Sequence, residues 1–167
     1  MVIGGAASGK SVLAEGLVTG TGLRRVYLAT AQAWDDEMRD RIAAHRDRRA
    51  GWATVEAPCD VAGALAGVPA GSVVLLDCAT LWLTNVLLEG ADVAVEEGAL
   101  LAALAACAAP VVVVTNEVGL SIVPDNALAR AFRDAQGRLN QRLAAQAGLV
   151  VAVWAGLPLV LKGQSPW

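Results

Sequence analysis

No run in this chain reaches the roughly 18 consecutive apolar residues that a membrane-crossing helix needs, although 56 % of its residues are hydrophobic and its mean hydropathy is +0.51. Ala, Val and Leu supply most of that content, and Gly, Pro or charge interrupts them every few positions, so a soluble chain without a membrane span is expected. The amino end has no basic segment leading into an apolar stretch and a small-residue cleavage site, which argues against secretion and for a cytoplasmic location. Cysteine is scarce: Cys59, Cys78 and Cys107 are far apart, odd in number and outside any C-x-x-C spacing. That excludes a disulfide framework and a structural zinc site, and leaves three buried, reduced thiols as the expectation. There is one Tyr and one Phe, and the net charge is −3 with a pI near 5.1. An aromatic and basic face for single-stranded nucleic acid is therefore missing, and no nucleic-acid partner is expected. Five tryptophans, Trp34, Trp52, Trp82, Trp154 and Trp167, are read as core or interface packing.

What is present has a clear order. With 167 residues and no internal repeat, linker or low-complexity tract, the chain reads as one domain over residues 1–167. Apolar runs at Val26–Leu28, Val73–Leu76, Val111–Val114 and Val150–Val153 have the uniform character of strands covered on both faces of a parallel sheet. Helical stretches alternate with them at Lys10–Val18, Asp35–Asp47, Leu81–Leu88, Val93–Ala108 and Leu128–Ala147. The alternation predicts a three-layer α/β domain whose ligands sit at the carboxyl ends of the strands.

Residues Gly4, Gly5, Ala6, Ala7, Ser8, Gly9, Lys10 and Ser11 satisfy the phosphate-loop pattern G-x-x-x-x-G-K-[ST] at every fixed position. Glycines let the main chain curl so that several N–H groups face one phosphate, and the following helix presents its positive end. In this pattern Lys10 reaches the β and γ phosphates of ATP or GTP as a catalytic cation, and the Ser11 hydroxyl holds a bridging Mg²⁺. Only three residues precede the loop, fewer than the four or five of a typical positioning strand. Asp77 follows Val73–Leu76 directly; at a strand end it is suited to hold the metal through water, or else to cap the next helix.

Positive charge is local: five of the 13 Lys and Arg residues lie between Arg39 and Arg49, as a small anionic substrate requires. The single histidine, His45, shares a predicted helical face with Glu37 and Arg41, beside an apolar stripe of Met38 and Ile42. A neutral imidazole with a pKa of about 6.5 can attack phosphorus at physiological pH. His45 is thus a candidate nucleophile, and spacing alone equally allows a solvated helix face.

Beyond the phosphate loop, the chain carries Tyr27-Leu28-Ala29-Thr30-Ala31, Asp36-Glu37-Met38 with Arg41-Ile42 and His45-Arg46, Leu75-Leu76-Asp77-Cys78 followed by Thr84-Asn85, and Thr115-Asn116-Glu117-Val118-Gly119. Further on come Ile122-Val123-Pro124, Phe132-Arg133-Asp134 and Gly137-Arg138-Leu139-Asn140-Gln141. This ordered set, spanning nearly the whole chain, resembles the bifunctional adenosylcobinamide kinase/adenosylcobinamide-phosphate guanylyltransferases of cobalamin biosynthesis. The resemblance implies two reactions. ATP or GTP phosphorylates the aminopropanol hydroxyl of adenosylcobinamide, and GTP then gives GMP to adenosylcobinamide phosphate, releasing pyrophosphate and forming adenosylcobinamide-GDP. It further implies a guanylylated histidine at His45, a GTP site lined by Ala29, Thr30, Ala31, Arg46, Asp47, Arg48, Arg49, Glu56 and Asp77 with the phosphate loop, and a RecA-like P-loop domain assembled as a homotrimer.

Three departures stand out. Ala7 occupies a loop position where the family usually has Arg, which removes one phosphate contact and implies weaker triphosphate binding or a shifted balance of activities. The stretch from His45 to Trp52 is a residue shorter than usual, with Ala50 where Pro is common. Ser121 replaces a frequent Gly. Two alternatives are a P-loop kinase of another small hydroxyl substrate without a histidine intermediate, and a RecA-like nucleic-acid motor, which the acidic pI disfavours.

Overall fold

The strands form where β-branched residues are buried on both sides, and the parity of burial along them shows how the layers are arranged. The computed structural model describes residues 1–32 and 49–164. Its strands are β1 (Val2–Gly4), β2 (Arg24–Ala29), β3 (Ala53–Glu56), β4 (Ser72–Asp77), β5 (Val111–Asn116), β6 (Val150–Trp154) and β7 (Leu157–Lys162). Helices are α1 (Lys10–Gly20), α2 (Val61–Ala66), α3 (Ala79–Leu88), α4 (Val93–Ala106) and α5 (Ala127–Gln146). The strands lie in the order β3-β2-β4-β5-β1-β6-β7, parallel throughout except for the final β6–β7 hairpin.

Val73 and Leu75 of β4, with Val2, Val114 and Val153, pack against Ala14 and Val18 of α1. Val74 and Leu76, with Val26, Leu28 and Val113, face the opposite layer, where Trp82, Leu83, Leu100, Leu139 and Leu143 close over them. The period of two along each strand thus sorts side chains into two cores. This is the three-layer α/β architecture expected from the uniformly apolar runs.

For the four expected helices within the described residues, Lys10–Val18, Leu81–Leu88, Val93–Ala108 and Leu128–Ala147, the starts and ends hold to within about two residues, the scatter usual at helix termini. The stretch Asp35–Asp47, with His45, Arg46 and Asp47, and the neighbouring Arg48 lie outside the described residues. Three elements carry little sequence signal. β3 is mostly exposed. α2 has only six residues, started by the Asp60 carboxylate accepting from Gly63 N at 2.8 Å. β7 contains Pro158, tolerable because it is a sheet-edge strand. Trp82 is buried in the core and donates from Nε1 to the Cys59 carbonyl at 2.8 Å. Trp154 lies outside the core, with 72 % of its surface exposed within the chain. The three thiols are free; Cys78 is buried, Cys59 and Cys107 only partly so. Among the described residues no helix is long and apolar enough to cross a membrane.

Candidate active site

β1 delivers Gly4 to the carboxyl edge of the sheet, and the loop turns there because glycine leaves room for it. A Cβ on Gly4 would lie 2.5 Å from Ser8 Oγ and 2.7 Å from the Val153 carbonyl oxygen. Ala7 (φ 53°) and Gly9 (φ 94°) take left-handed conformations that bend the chain back into α1. Gly9, at the N-cap, has no side chain to occupy the first-turn amides, and no acidic residue sits in that turn. The amides and the helix dipole are thus available to an anion. The Lys10 ammonium donates to the Gly5 carbonyl at 3.0 Å across the loop, and Ser11 follows it in the first turn of α1. A second prop comes from the β6–β7 turn, where Gly156 N donates to the Ser8 carbonyl at 2.9 Å.

Asp77 is the last residue of β4 and shares a face with Val73 and Leu75, hence with α1. The Tyr27 hydroxyl donates to its Oδ2 at 3.4 Å. Burial first, and the Asp77 charge second, raise the Tyr27 pKa well above the ordinary phenol value, while Arg49 pulls the other way. The phenol therefore stays protonated and remains a donor. The Arg49 guanidinium stacks 3.4 Å from the Tyr27 ring centroid and pairs with Glu15 of α1 at 3.5 Å. Arg49 is thus buried between β2 and α1 rather than part of a solvated basic turn. Burial pushes the neighbouring Cys78 thiol up to about 11, and the positive charge of Lys10 is close enough to oppose that shift. Lys10 and the end of β4 therefore belong to one electrostatic neighbourhood.

Thr30 is a brace between strand ends. Its hydroxyl donates to the Cys78 carbonyl and accepts from Cys78 N, both at 2.8 Å, its N–H reaches the Asp77 carbonyl, and its own carbonyl accepts from Asn85 Nδ2. With these atoms engaged inside the fold, Thr30 shapes the edge that Ala29 and Ala31 flank. Glu56 pairs with Ala29 in register and is exposed; four strand spacings, about 19 Å, separate its strand from β1. The structure thus brings together the phosphate loop, Asp77 and Ala29–Ala31, places Glu56 farther along the same edge, and sets Arg49 behind Asp77.

Sequence reasoning passed over Tyr27, Glu15 and the β5 terminus as site components. The available signal was a polar residue interrupting or ending an apolar strand, at Tyr27 and at Thr115-Asn116. Among the described residues no cluster of three or more His, Cys, Asp or Glu could hold a metal ion. Ser11 and Asp77 offer a hydroxyl and a carboxylate, hard oxygen donors of the type that suits Mg²⁺.

The family profile described as cobinamide kinase / cobinamide phosphate guanyltransferase matches residues 1–161. The chain is 45 % identical to the bifunctional adenosylcobalamin biosynthesis protein CobP of Pseudomonas aeruginosa, covering 98 % of this chain and 97 % of the relative. It is 44 % identical to the bifunctional adenosylcobalamin biosynthesis protein CobU of Salmonella typhimurium, covering 97 % and 98 %. The CobU protein of Escherichia coli is 42 % identical over the same shares. In fold, the chain is similar to the RadB recombinase, with a TM-score of 0.54 at 18 % identity, covering 90 % of this chain and 71 % of the other. That likeness supports a RecA-like sheet and nothing about activity.

Proposed function

The chain belongs to the cobinamide kinase / cobinamide phosphate guanyltransferase family, and from that premise we propose that it runs two transfers on one scaffold. In the first, ATP or GTP phosphorylates the hydroxyl of adenosylcobinamide. In the second, GTP donates GMP to adenosylcobinamide phosphate, yielding adenosylcobinamide-GDP and pyrophosphate.

The observation that carries this reading is the phosphate loop at the sheet edge, with Lys10 drawn across it and Asp77 ending β4 on the face that α1 covers. Main-chain amides of residues 5–11 grip the β and γ phosphates. Lys10 exchanges its internal bond to the Gly5 carbonyl for the phosphate oxygens and neutralises charge as the γ-phosphoryl group leaves. Ser11 and Asp77, steadied by Tyr27, would hold Mg²⁺, which would supply further positive charge to the phosphates. Ala29 and Ala31 leave the edge beside Asp77 open, and Glu56 is suited to the far end of a nucleotide rather than to its phosphates.

The guanylyl step is assigned to His45, with Arg46, Asp47, Arg48 and Arg49 around the nucleotide. The imidazole nitrogen bonds to the α-phosphorus, the bond to pyrophosphate breaks, and the cobinamide phosphate oxygen then displaces the imidazole and takes GMP. Arg49 acts from its stack on Tyr27, behind Asp77. The exposed Trp154, Leu157, Leu159 and Leu161 on the terminal hairpin support assembly with further copies, which the trimeric reading requires. A cytoplasmic setting and the absence of a nucleic-acid partner complete the proposal.

Incubation with GTP labelled at the α-phosphate, followed by denaturation, tests it. An acid-labile, base-stable adduct is expected, and it should vanish in His45→Ala. Label retained by His45→Ala would remove that residue from its role, and active enzyme without any adduct would indicate a plain kinase.

A further inference from the structure

β5 lies between β1, which carries the phosphate loop, and β4, which carries Asp77. With adjacent strands about 4.8 Å apart, those two sides of the site are separated by about 10 Å, so whatever bridges them lies over the end of β5. That end is Asn116. It is the register partner of Gly4, the first loop residue, whereas Asp77 pairs with Val114. Asn116 therefore extends two residues, about 7 Å, beyond the level of Asp77. Val112 and Val114 face α1, so the alternation turns the Asn116 side chain to the same face as Asp77 and the phosphate loop.

The main chain at this point is held with unusual care. Thr115, pointing the other way, donates to Asn140 Oδ1 at 2.6 Å and accepts from Gln136 Nε2 at 3.0 Å, and Gln136 also reaches Asn140. Asn116 N donates to Thr80 Oγ1 at 2.8 Å, and the Asn116 carbonyl accepts from Asn140 Nδ2 at 3.0 Å. The next residue ties the strand to the loop, Glu117 N donating to the Gly4 carbonyl at 3.1 Å. Three of these bonds hold the main chain of Asn116 and Glu117 and the others brace Thr115, Gln136 and Asn140 behind it, yet the Asn116 carboxamide itself makes none among the described residues, and its Oδ1 is buried without a partner. A buried polar atom without a hydrogen bond is costly, and a rigid polar network behind it aims the group at one place.

We infer that the Asn116 carboxamide contacts the terminal phosphate of the bound nucleoside triphosphate, and so distinguishes a triphosphate from a diphosphate. A half-turn of the amide offers two N–H donors to phosphate oxygen, a group that Lys10 approaches from the β1 side. This rests on the phosphate-loop reading above. It gives the Thr115-Asn116-Glu117 and Asn140 motifs a common purpose, with Thr80, Thr115, Gln136 and Asn140 positioning the residue that touches the nucleotide.

The test compares binding of β,γ-imido-GTP and GDP by calorimetry, in a His45→Ala background so that no guanylyl transfer intervenes. Loss of a hydrogen bond to a charged group predicts that Asn116→Ala weakens the triphosphate analogue about 10- to 100-fold, with GDP binding within about twofold of the parent by the same reasoning. Asn116→Asp, which keeps the shape and adds negative charge, should weaken the analogue further and still spare GDP. Equal losses for both nucleotides, or no loss for either, would overturn the inference. Failure of the phosphate-loop reading looks different, because the parent protein would then bind neither nucleotide.

Discussion

Replacing Gly4 by alanine tests the loop geometry with one methyl group. The added Cβ would meet Ser8 Oγ at 2.5 Å and the Val153 carbonyl at 2.7 Å, well inside the approximately 3.3 Å at which carbon and oxygen normally touch. Ser8 can rotate, but the Val153 carbonyl belongs to β6, which pairs with β1 at this residue. The strand or the loop must therefore shift by roughly half an ångström. Overpacking of this kind costs about 2 kcal/mol, equivalent to a Tm lower by about 4–8 °C in a domain of this size. Misplacing a phosphate grip by a fraction of an ångström should also lower kcat/KM for the kinase step by up to about 100-fold. Gly5→Ala is the control, since nothing lies within 4 Å of its added Cβ and its Tm should stay within about 2 °C. Calorimetry and steady-state kinetics on the two variants decide the matter. Gly4→Ala melting and turning over like the parent, or Gly5→Ala suffering equally, would refute the argument.

Lys10→Ala removes the one full positive charge in the loop, so phosphoryl transfer to cobinamide should fall about 100- to 1000-fold while Tm changes little; a rate close to the parent's would exclude Lys10 from catalysis. Burial first, and then the Glu89 carboxylate 3.0 Å away, raise the Cys59 thiol from 9.0 to about 11. Alkylation of Cys59 by iodoacetamide should therefore be slow at pH 8 and accelerate towards pH 11, as followed by peptide mass spectrometry. Between those two pKa values the folded chain retains a proton that the unfolded chain has lost. This group's contribution to stability is complete below pH 9 and disappears as the pH rises towards 11, which urea titrations of the parent and Cys59→Ala would show.

The parallel strands and the phosphate loop could be read from the chain because each depends on residues close together in sequence. Val73–Leu76 is apolar at every position since α1 covers one face and α3–α5 the other, and the loop motif is contiguous. The edges were hidden for the opposite reason. β7 is exposed along most of its length, so burial imposes no pattern on it, and Pro158 masks its strand character. The supports of the site were equally hidden, because they join distant positions. Thr30 meets Cys78, Arg49 crosses Tyr27 to reach Glu15, and Asn140 holds the end of β5. No spacing rule along one segment records such pairs. Asp77 was legible as a charge ending an apolar strand, whereas its partner Tyr27 looked like one more strand residue.

The bond from Gly156 to the Ser8 carbonyl has a practical consequence for anyone redesigning the carboxyl end. The terminal hairpin carries none of the residues assigned to the chemistry above, yet its turn buttresses the cradle at the opposite end of the chain, with the Gly156 Cα only 3.3 Å from where a Cβ on Gly9 would stand. Trimming the chain after β6, or widening that turn to insert a tag, would slacken the nucleotide grip while leaving every residue of the grip in place.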